Sequence, residues 1–181
     1  SEAFVLDLSD GSLILAEKKY EVNGEKCFYF SELFLECRAP LSQKSKLDIV
    51  TRAVDQVAKK YYGDEDAQKK MEIKDIICNE LEEQGEIKVS ELREKVFPGS
   101  PEMLEELDEK LDRYNLSYET VAPKNEQTIK KFQKQKLYTD TGIEITIPME
   151  EYRNPDHVEF ITNMDGTISV LIKNIGMLSS K

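Results

Sequence analysis

Ser100-Pro101-Glu102-Met103-Leu104-Glu105-Glu106-Leu107-Asp108-Glu109-Lys110-Leu111-Asp112-Arg113-Tyr114 decides how this chain is to be read. A hydroxyl residue, a proline and an acid in succession mark a helix start. Proline loses nothing at the first helical position, where its missing N–H would have no partner, and a carboxylate there meets the positive end of the helix dipole. Met103, Leu104, Leu107, Leu111 and Tyr114 then recur at three- and four-residue spacing, which predicts one buried face. The opposite face presents Glu102, Glu105, Glu106, Asp108, Glu109 and Asp112 against Lys110 and Arg113. This is an amphipathic helix with an acidic exterior.

The helical period continues upstream. Ile87 to Val89 is a short extended step, after which Ser90 is expected to cap a brief helix to about Val96. Before it, Ala67, Met71, Ile73, Ile77, Cys78 and Leu81 predict a core-facing helix from about Glu65 to Glu83. Asp64 is its expected N-cap and Gly85 lies just past its end. Leu47, Val50, Val54, Val57, Ala58 and Tyr61 predict another from about Lys44 to Tyr62, stopped by Gly63.

At both ends of the chain the period falls to two. Phe4–Leu8 and Leu13–Ala16 flank an Asp10-Gly11 turn signal, and Tyr20–Val22 and Cys27–Phe30 flank Asn23-Gly24, so a β-meander is expected. Ser31–Cys37 is too short an apolar run to assign. Near the C-terminus Ile143, Ile145 and Ile147 alternate with polar residues up to Pro148, and Val158–Asn163 and Thr167–Lys173 predict a hairpin turning at Asp165-Gly166. Clean alternation implies antiparallel strands with one wet face. The fold class is therefore α+β, with antiparallel strands at both ends around a helical, acidic middle. Three sections follow: 1–63 (strands and the first helix), 64–119 (acidic helices) and 120–181 (antiparallel strands), expected to form one compact fragment. Ser1-Glu2-Ala3 leads straight into a strand pattern with neither an initiator Met nor the basic opening of a signal peptide. The expectation is a piece of a longer protein.

Charge is uneven over the 181 residues. Residues 1–63 carry −1, residues 64–119 carry −10 and residues 120–181 are neutral, for a net charge of −11. A polyanion is repelled by the middle section and tolerated by the other two. No apolar run approaches the roughly 18–20 residues of a membrane helix, so no membrane partner is expected.

Catalytic patterns are missing. His157 is the only histidine, and Cys27, Cys37 and Cys78 lack metal-ligand spacing. No glycine-rich phosphate loop or nucleophile elbow occurs. No catalytic residue, metal, cofactor or small-molecule substrate is expected. His157 reads as a strand-edge imidazole, and the adjacent pairs Glu82-Glu83 and Glu105-Glu106 read as solvated, because neighbouring helical side chains diverge. Cys78, among apolar helix positions, is expected to be packed and unreactive. A Cys27–Cys37 bridge is the lesser reading; an odd cysteine count points to a reducing compartment.

The helix, extended step, short helix and longer helix of the middle section outline a winged-helix unit. Its last helix, from Pro101 to Tyr114, would lie between two rows of phosphates, and six acids on the outer face exclude that use. The better nucleic-acid candidate is Lys124-Asn125-Glu126-Gln127-Thr128-Ile129-Lys130-Lys131-Phe132-Gln133-Lys134-Gln135-Lys136. Its lysines Lys124, Lys130, Lys131, Lys134 and Lys136, with Phe132 among them, have the composition of a phosphate-tracking segment. The plainer reading is a solvated connector. Lys44, Lys46, Arg52, Lys59 and Lys60 on the first helix form no stripe.

In this order of elements the chain resembles the bacterial nucleoid-associated protein family of the NdpA type, in its C-terminal half. The likeness rests on Ile77-Cys78-Asn79-Glu80-Leu81 through Gly85-Glu86-Ile87 to Ser90-Glu91-Leu92, on Ile129-Lys130-Lys131-Phe132, and on the ending from Gly142–Ile147 to Thr167–Lys173. It covers most of residues 40–175. The resemblance implies a cytoplasmic protein of the nucleoid with an N-terminal half preceding these residues, and no enzymatic activity or cofactor. Its implied partner is chromosomal DNA, met directly or through DNA-bound proteins, and a homodimer is compatible with it. Two functions stay open: weak, sequence-independent DNA contact through the lysine-rich segment, or an adaptor whose acidic helices bind basic nucleoid proteins.

Overall fold

The computed structural model describes residues 2–9, 11, 13–22, 24–35, 40–63 and 66–179. Two compact units result, Ser1–Ser42 and Gln43–Lys181. The first helix, grouped above with the N-terminal strands, thus belongs to the second unit. Along the chain the order is the expected α+β one, with antiparallel strands at both ends and helices in the middle.

In the first unit β1 (Ala3–Leu6) pairs with β2 (Leu13–Ala16), and β3 (Lys19–Val22) with β4 (Glu25–Phe28), both antiparallel. These are two separate hairpins, and β2 does not pair with β3 as a meander would require. Tyr29–Phe34 forms a π-helical turn, in which the Leu35 amide reaches the Phe30 carbonyl at 2.9 Å. Phe30 stacks between Phe4 and Phe34, with ring centroids 5.4 and 5.6 Å away. Cys27 is a free thiol, and Cys37 lies outside the described residues.

The second unit holds α1 (Gln43–Tyr62), α2 (Ala67–Glu83), β5 (Ile87–Lys88), α3 (Val89–Val96), α4 (Pro101–Asp112) and β6 (Thr120–Val121). The two-residue strands β5 and β6 pair antiparallel, bringing Ile87 opposite Val121. The main core joins α1, α2, α3 and α4, with Leu47, Val50, Val54 and Val57 of α1 fully buried. Three local expectations need correction. The cap of α2 is Asp66, whose carboxylate accepts the Lys69 amide at 2.9 Å; Asp64 lies outside the described residues. Helix α3 starts at Val89 with Lys88 in the cap position, so Ser90 sits inside it. Tyr61 and Tyr114 are exposed, Tyr114 because α4 ends at Asp112 and the helical phase is lost beyond it.

After α5 (Glu126–Lys130) come β7 (Lys134–Tyr138), β8 (Glu144–Pro148), α6 (Met149–Tyr152), β9 (Val158–Thr162) and β10 (Ile168–Ile172). β7 pairs with β8 and β9 with β10, all antiparallel. The β9–β10 turn runs through Met164-Asp165-Gly166, with Gly166 at φ +84°, a conformation only glycine adopts without strain. A second core cluster of Met71, Cys78 and Met149 lies under these strands, flanked by Phe132, Leu137, Tyr152 and Phe160. Helix α2 serves both cores. Ile73, Ile77 and Leu81 face the helices, while Met71 and Cys78, roughly a third of a turn away, face the strands.

Candidate nucleic-acid interface

The lysine-rich segment holds α5 and the start of β7. Asn125 caps α5, its side chain accepting the Gln127 amide at 2.8 Å, and Thr128 and Ile129 turn this short helix toward the core. Lys130, at its end, pairs with Glu126 at 3.5 Å, and Lys130 and Lys131 both reach solvent. Phe132 is half-buried and touches both core clusters. It anchors the segment to the core.

Strand β7 then fixes the next lysines. Its register opposes Lys134 to Pro148, Lys136 to Thr146 and Leu137 to Ile145. Side chains of a strand alternate between faces, so Lys134, Lys136 and Tyr138 are exposed while Gln135 and Leu137 turn inward. Lys134 and Lys136 share one face. Lys124, exposed just before α5, is a separate point of charge.

Behind the segment lies a groove of about 390 Å³ lined by Thr51, Asp55 and Lys59 of α1, Lys70, Ile73, Lys74 and Ile77 of α2, and Phe132 and Gln135. The Lys74 ammonium donates to the Lys134 carbonyl at 2.7 Å, tying helix to strand. Burial pushes the Lys74 pKa down, against the pull of Asp55. Although Asp55 reaches solvent, the protein packed around it pushes its carboxyl up, against Lys74 and Lys70. Sequence reading overlooked Lys70 and Lys74. Their i,i+4 spacing was visible, but the approach of α1 and β7 was not.

On the far side of α2, Arg153 just after α6 donates to Asp75 at 2.6 Å and to Glu82 at 2.9 Å. Gln133 also donates to Glu82, at 3.1 Å. Burial pushes the Glu82 carboxyl up, but the bonds from Arg153 and Gln133 outweigh it, and the group sits below the usual carboxylate range. Glu82 is therefore no idle solvated acid. The neighbouring Cys78 thiol is pushed up to about 11, chiefly by burial.

Acids of the 64–119 section pair with several of the remaining basic side chains. Lys60 bonds to Glu106, Lys46 to Glu119 at 2.7 Å, and Arg93 to Asp108. Glu106, expected to be solvated, is thus tied to α1. Glu102, Glu105, Glu109 and Asp112 of α4 remain exposed, and α4 keeps the wrong sign for a DNA groove. His157 is half-exposed at the entry to β9, its Nδ1 2.5 Å from Glu151. Among the described residues, no group of three His, Cys, Asp or Glu side chains is arranged to hold a metal, and no helix is long and apolar enough to cross a membrane.

No curated protein and no solved structure matches the chain. The family model described as nucleoid-associated protein YejK matches residues 6–177. Nearly the whole chain is covered, and it belongs to that nucleoid-associated family.

Proposed function

We propose that the chain is a non-enzymatic domain of a cytoplasmic nucleoid protein that contacts duplex DNA directly, weakly and without sequence preference. Lys124, Lys130, Lys131, Lys134 and Lys136 meet phosphates, and Phe132 holds their segment against the core. The observation that carries this reading is the shared face of Lys134 and Lys136 on a paired strand. A lysine on a rigid element loses less entropy on meeting a phosphate than one on a loose connector. No cofactor or small-molecule substrate enters. A homodimer would set two such segments on one assembly.

Five phosphate contacts predict a log–log salt slope of about −4 to −5 and a dissociation constant of about 10⁻⁴ to 10⁻⁶ M, toward the weaker end. The acidic section opposes binding, within a screening length of about 8 Å at physiological salt. Fluorescence anisotropy of a labelled duplex at several salt concentrations measures both quantities. Replacing Lys130, Lys131 and Lys134 by Gln should flatten the slope by about 2–3 units with the fold intact. An unchanged slope refutes the reading. It would favour instead an adaptor that offers Glu102, Glu105, Glu109 and Asp112, exposed along α4, to basic proteins on the nucleoid.

A further inference from the structure

The four arginines among the described residues divide two and two. Arg93 bonds to Asp108, and Arg153 to Asp75 and Glu82. Arg52 and Arg113 have no ion pair or side-chain hydrogen bond among the described residues, in a chain of net charge −11. Both line one groove of about 150 Å³ between α1 and α4. Ile49, Arg52, Ala53 and Gln56 recur at i, i+3, i+4 and i+7 on α1, so they form one stripe. Lys110, Arg113 and Tyr114 do the same at the end of α4. Ala53 is buried, and its single methyl leaves room between the longer side chains. Among the described residues no carboxylate lines this groove. Glu106 is shared between Lys60 and Lys110, the latter at 3.7 Å, so Lys110 is partly neutralised from outside. Asp55 lines a different groove beside Lys74, and Asp112 accepts the Ser117 hydroxyl. Asp48 and Glu109, each four residues before one of the arginines, are exposed and bond to neither. The last carbonyls of α4 give the arginines no partner either, since those of Leu111 and Asp112 accept the amides of Tyr114, Leu116 and Asn115.

We propose that this groove binds a single phosphate group, inorganic or at the end of a small phosphomonoester, with the Arg52 and Arg113 guanidiniums as its principal donors. Lys110, Gln56 and Tyr114 supply further ones. Each guanidinium presents a planar fork of N–H groups that matches two phosphate oxygens. Two forks, an ammonium, an amide and a phenol offer more donors than the two oxygens of a carboxylate accept, and the three terminal oxygens of a phosphate suit them better. A groove of about 150 Å³ holds one such group; pockets that enclose a whole small molecule start at roughly 300 Å³. The rest of a monoester therefore stays in solvent. A duplex backbone is the poorer occupant, because Glu102, Glu105, Glu109 and Asp112 stand exposed along the same helix and repel a polyanion. None of the groove residues belongs to the 124–136 segment, and the proposal does not depend on the DNA reading.

Titration of the whole chain with inorganic phosphate at constant ionic strength, followed by amide NMR, tests the groove. Saturable shifts are expected at Ala53, Gln56, Arg113 and Tyr114. R52Q/R113Q should abolish them and leave the thermal melt of the helices unchanged, since neither side chain is bonded within the described chain. D48N/E109Q is the second variant. It removes the carboxylates within about one helical turn of each arginine and should tighten phosphate several-fold, a gain that damaged folding cannot imitate. Shifts that persist in R52Q/R113Q, or no tightening in D48N/E109Q, overturn the proposal. Acetate acting as strongly as phosphate also overturns it, and points to the carboxylates of an acidic protein instead. Duplex DNA supplies the last arm. Its salt slope should be the same for the parent and R52Q/R113Q; a slope flattened by about 2 units would give the groove to a nucleic-acid backbone and overturn the small-ligand assignment. K130Q/K131Q/K134Q should leave the phosphate shifts in place whatever it does to DNA binding, so the two readings fail separately.

Discussion

Replacing Arg153 by methionine removes the clasp that holds the end of α6 to two acids of α2, Asp75 and Glu82. Its guanidinium bonds to Asp75 at 2.6 Å and to Glu82 at 2.9 Å, and the three side chains are 31, 22 and 31 % exposed. Hydrogen bonds to charged groups contribute about 1.5–3 kcal/mol each where water is excluded. At this exposure solvent screening and the ordering of a long side chain remove roughly half of that. The variant also leaves Asp75 and Glu82 without their cation, two turns apart on one side of a helix. The expected loss is about 2–3 kcal/mol. At roughly 2–4 °C per kcal/mol for a chain of this size, the melting temperature should fall by about 4–12 °C. The α-helices all lie in the second unit, so the far-UV helical signal reports the right transition. Linkage supplies a second signature. The Glu82 pKa is lowered in the folded protein, so the unfolded chain takes up that proton at higher pH. The stability tied to it is complete above the ordinary carboxylate pKa and is lost as pH falls through the lowered folded value. The gap between parent and variant should therefore be full at neutral pH and narrow through the acid range. Equal melting temperatures at pH 7, or a gap that stays constant down to pH 3, would refute the clasp.

Two further outcomes are expected. Cys78 is fully buried with a thiol pushed up to about 11; a thiol reagent at pH 8 should leave it unmodified in native protein, modify the partly exposed Cys27, and reach Cys78 only after denaturation. Phe132→Ala should cost about 1.5–3 kcal/mol, below the value for a fully buried ring because Phe132 is half-exposed, and should weaken DNA binding with the salt slope unchanged, as loss of an anchor requires and loss of a phosphate contact does not. Urea denaturation and the anisotropy assay read the two effects separately.

What sequence reading recovered was local. The proline start and four-residue spacing of α4, the helical stripe of α1 and the Asp165-Gly166 turn each lie within a dozen residues of the groups that determine them. Strand β7 was missed because Lys134-Gln135-Lys136-Leu137-Tyr138 has a single aliphatic residue. It becomes a strand through pairing with Glu144–Pro148 and cover from Met71 and Cys78, more than fifty residues upstream. The same distance hid the groove, whose lysines come from two helices and whose rim comes from a third element. In the opposite direction, Phe132 drew attention as an aromatic among lysines, and its packing role could not be seen without both cores. Asp66 was displaced by Asp64 as the expected cap because a local signal fixes that a helix starts but not the residue at which it does.

The double service of α2 has a consequence for how the second unit opens. Helix and strand sections in sequence order would ordinarily be separate cooperative blocks, each able to fray while the other held. Here the strands cannot leave without baring Met71 and Cys78, and the helices cannot leave without baring Ile73, Ile77 and Leu81 on the same rod. Amide protons in the middle of α2 should then exchange with solvent only when the whole unit unfolds, and they should be the slowest in the chain. The lysines borne on α5 and β7 should share that rigidity, since Ile129, Phe132 and Leu137 of the same stretch pack on the cores that α2 serves.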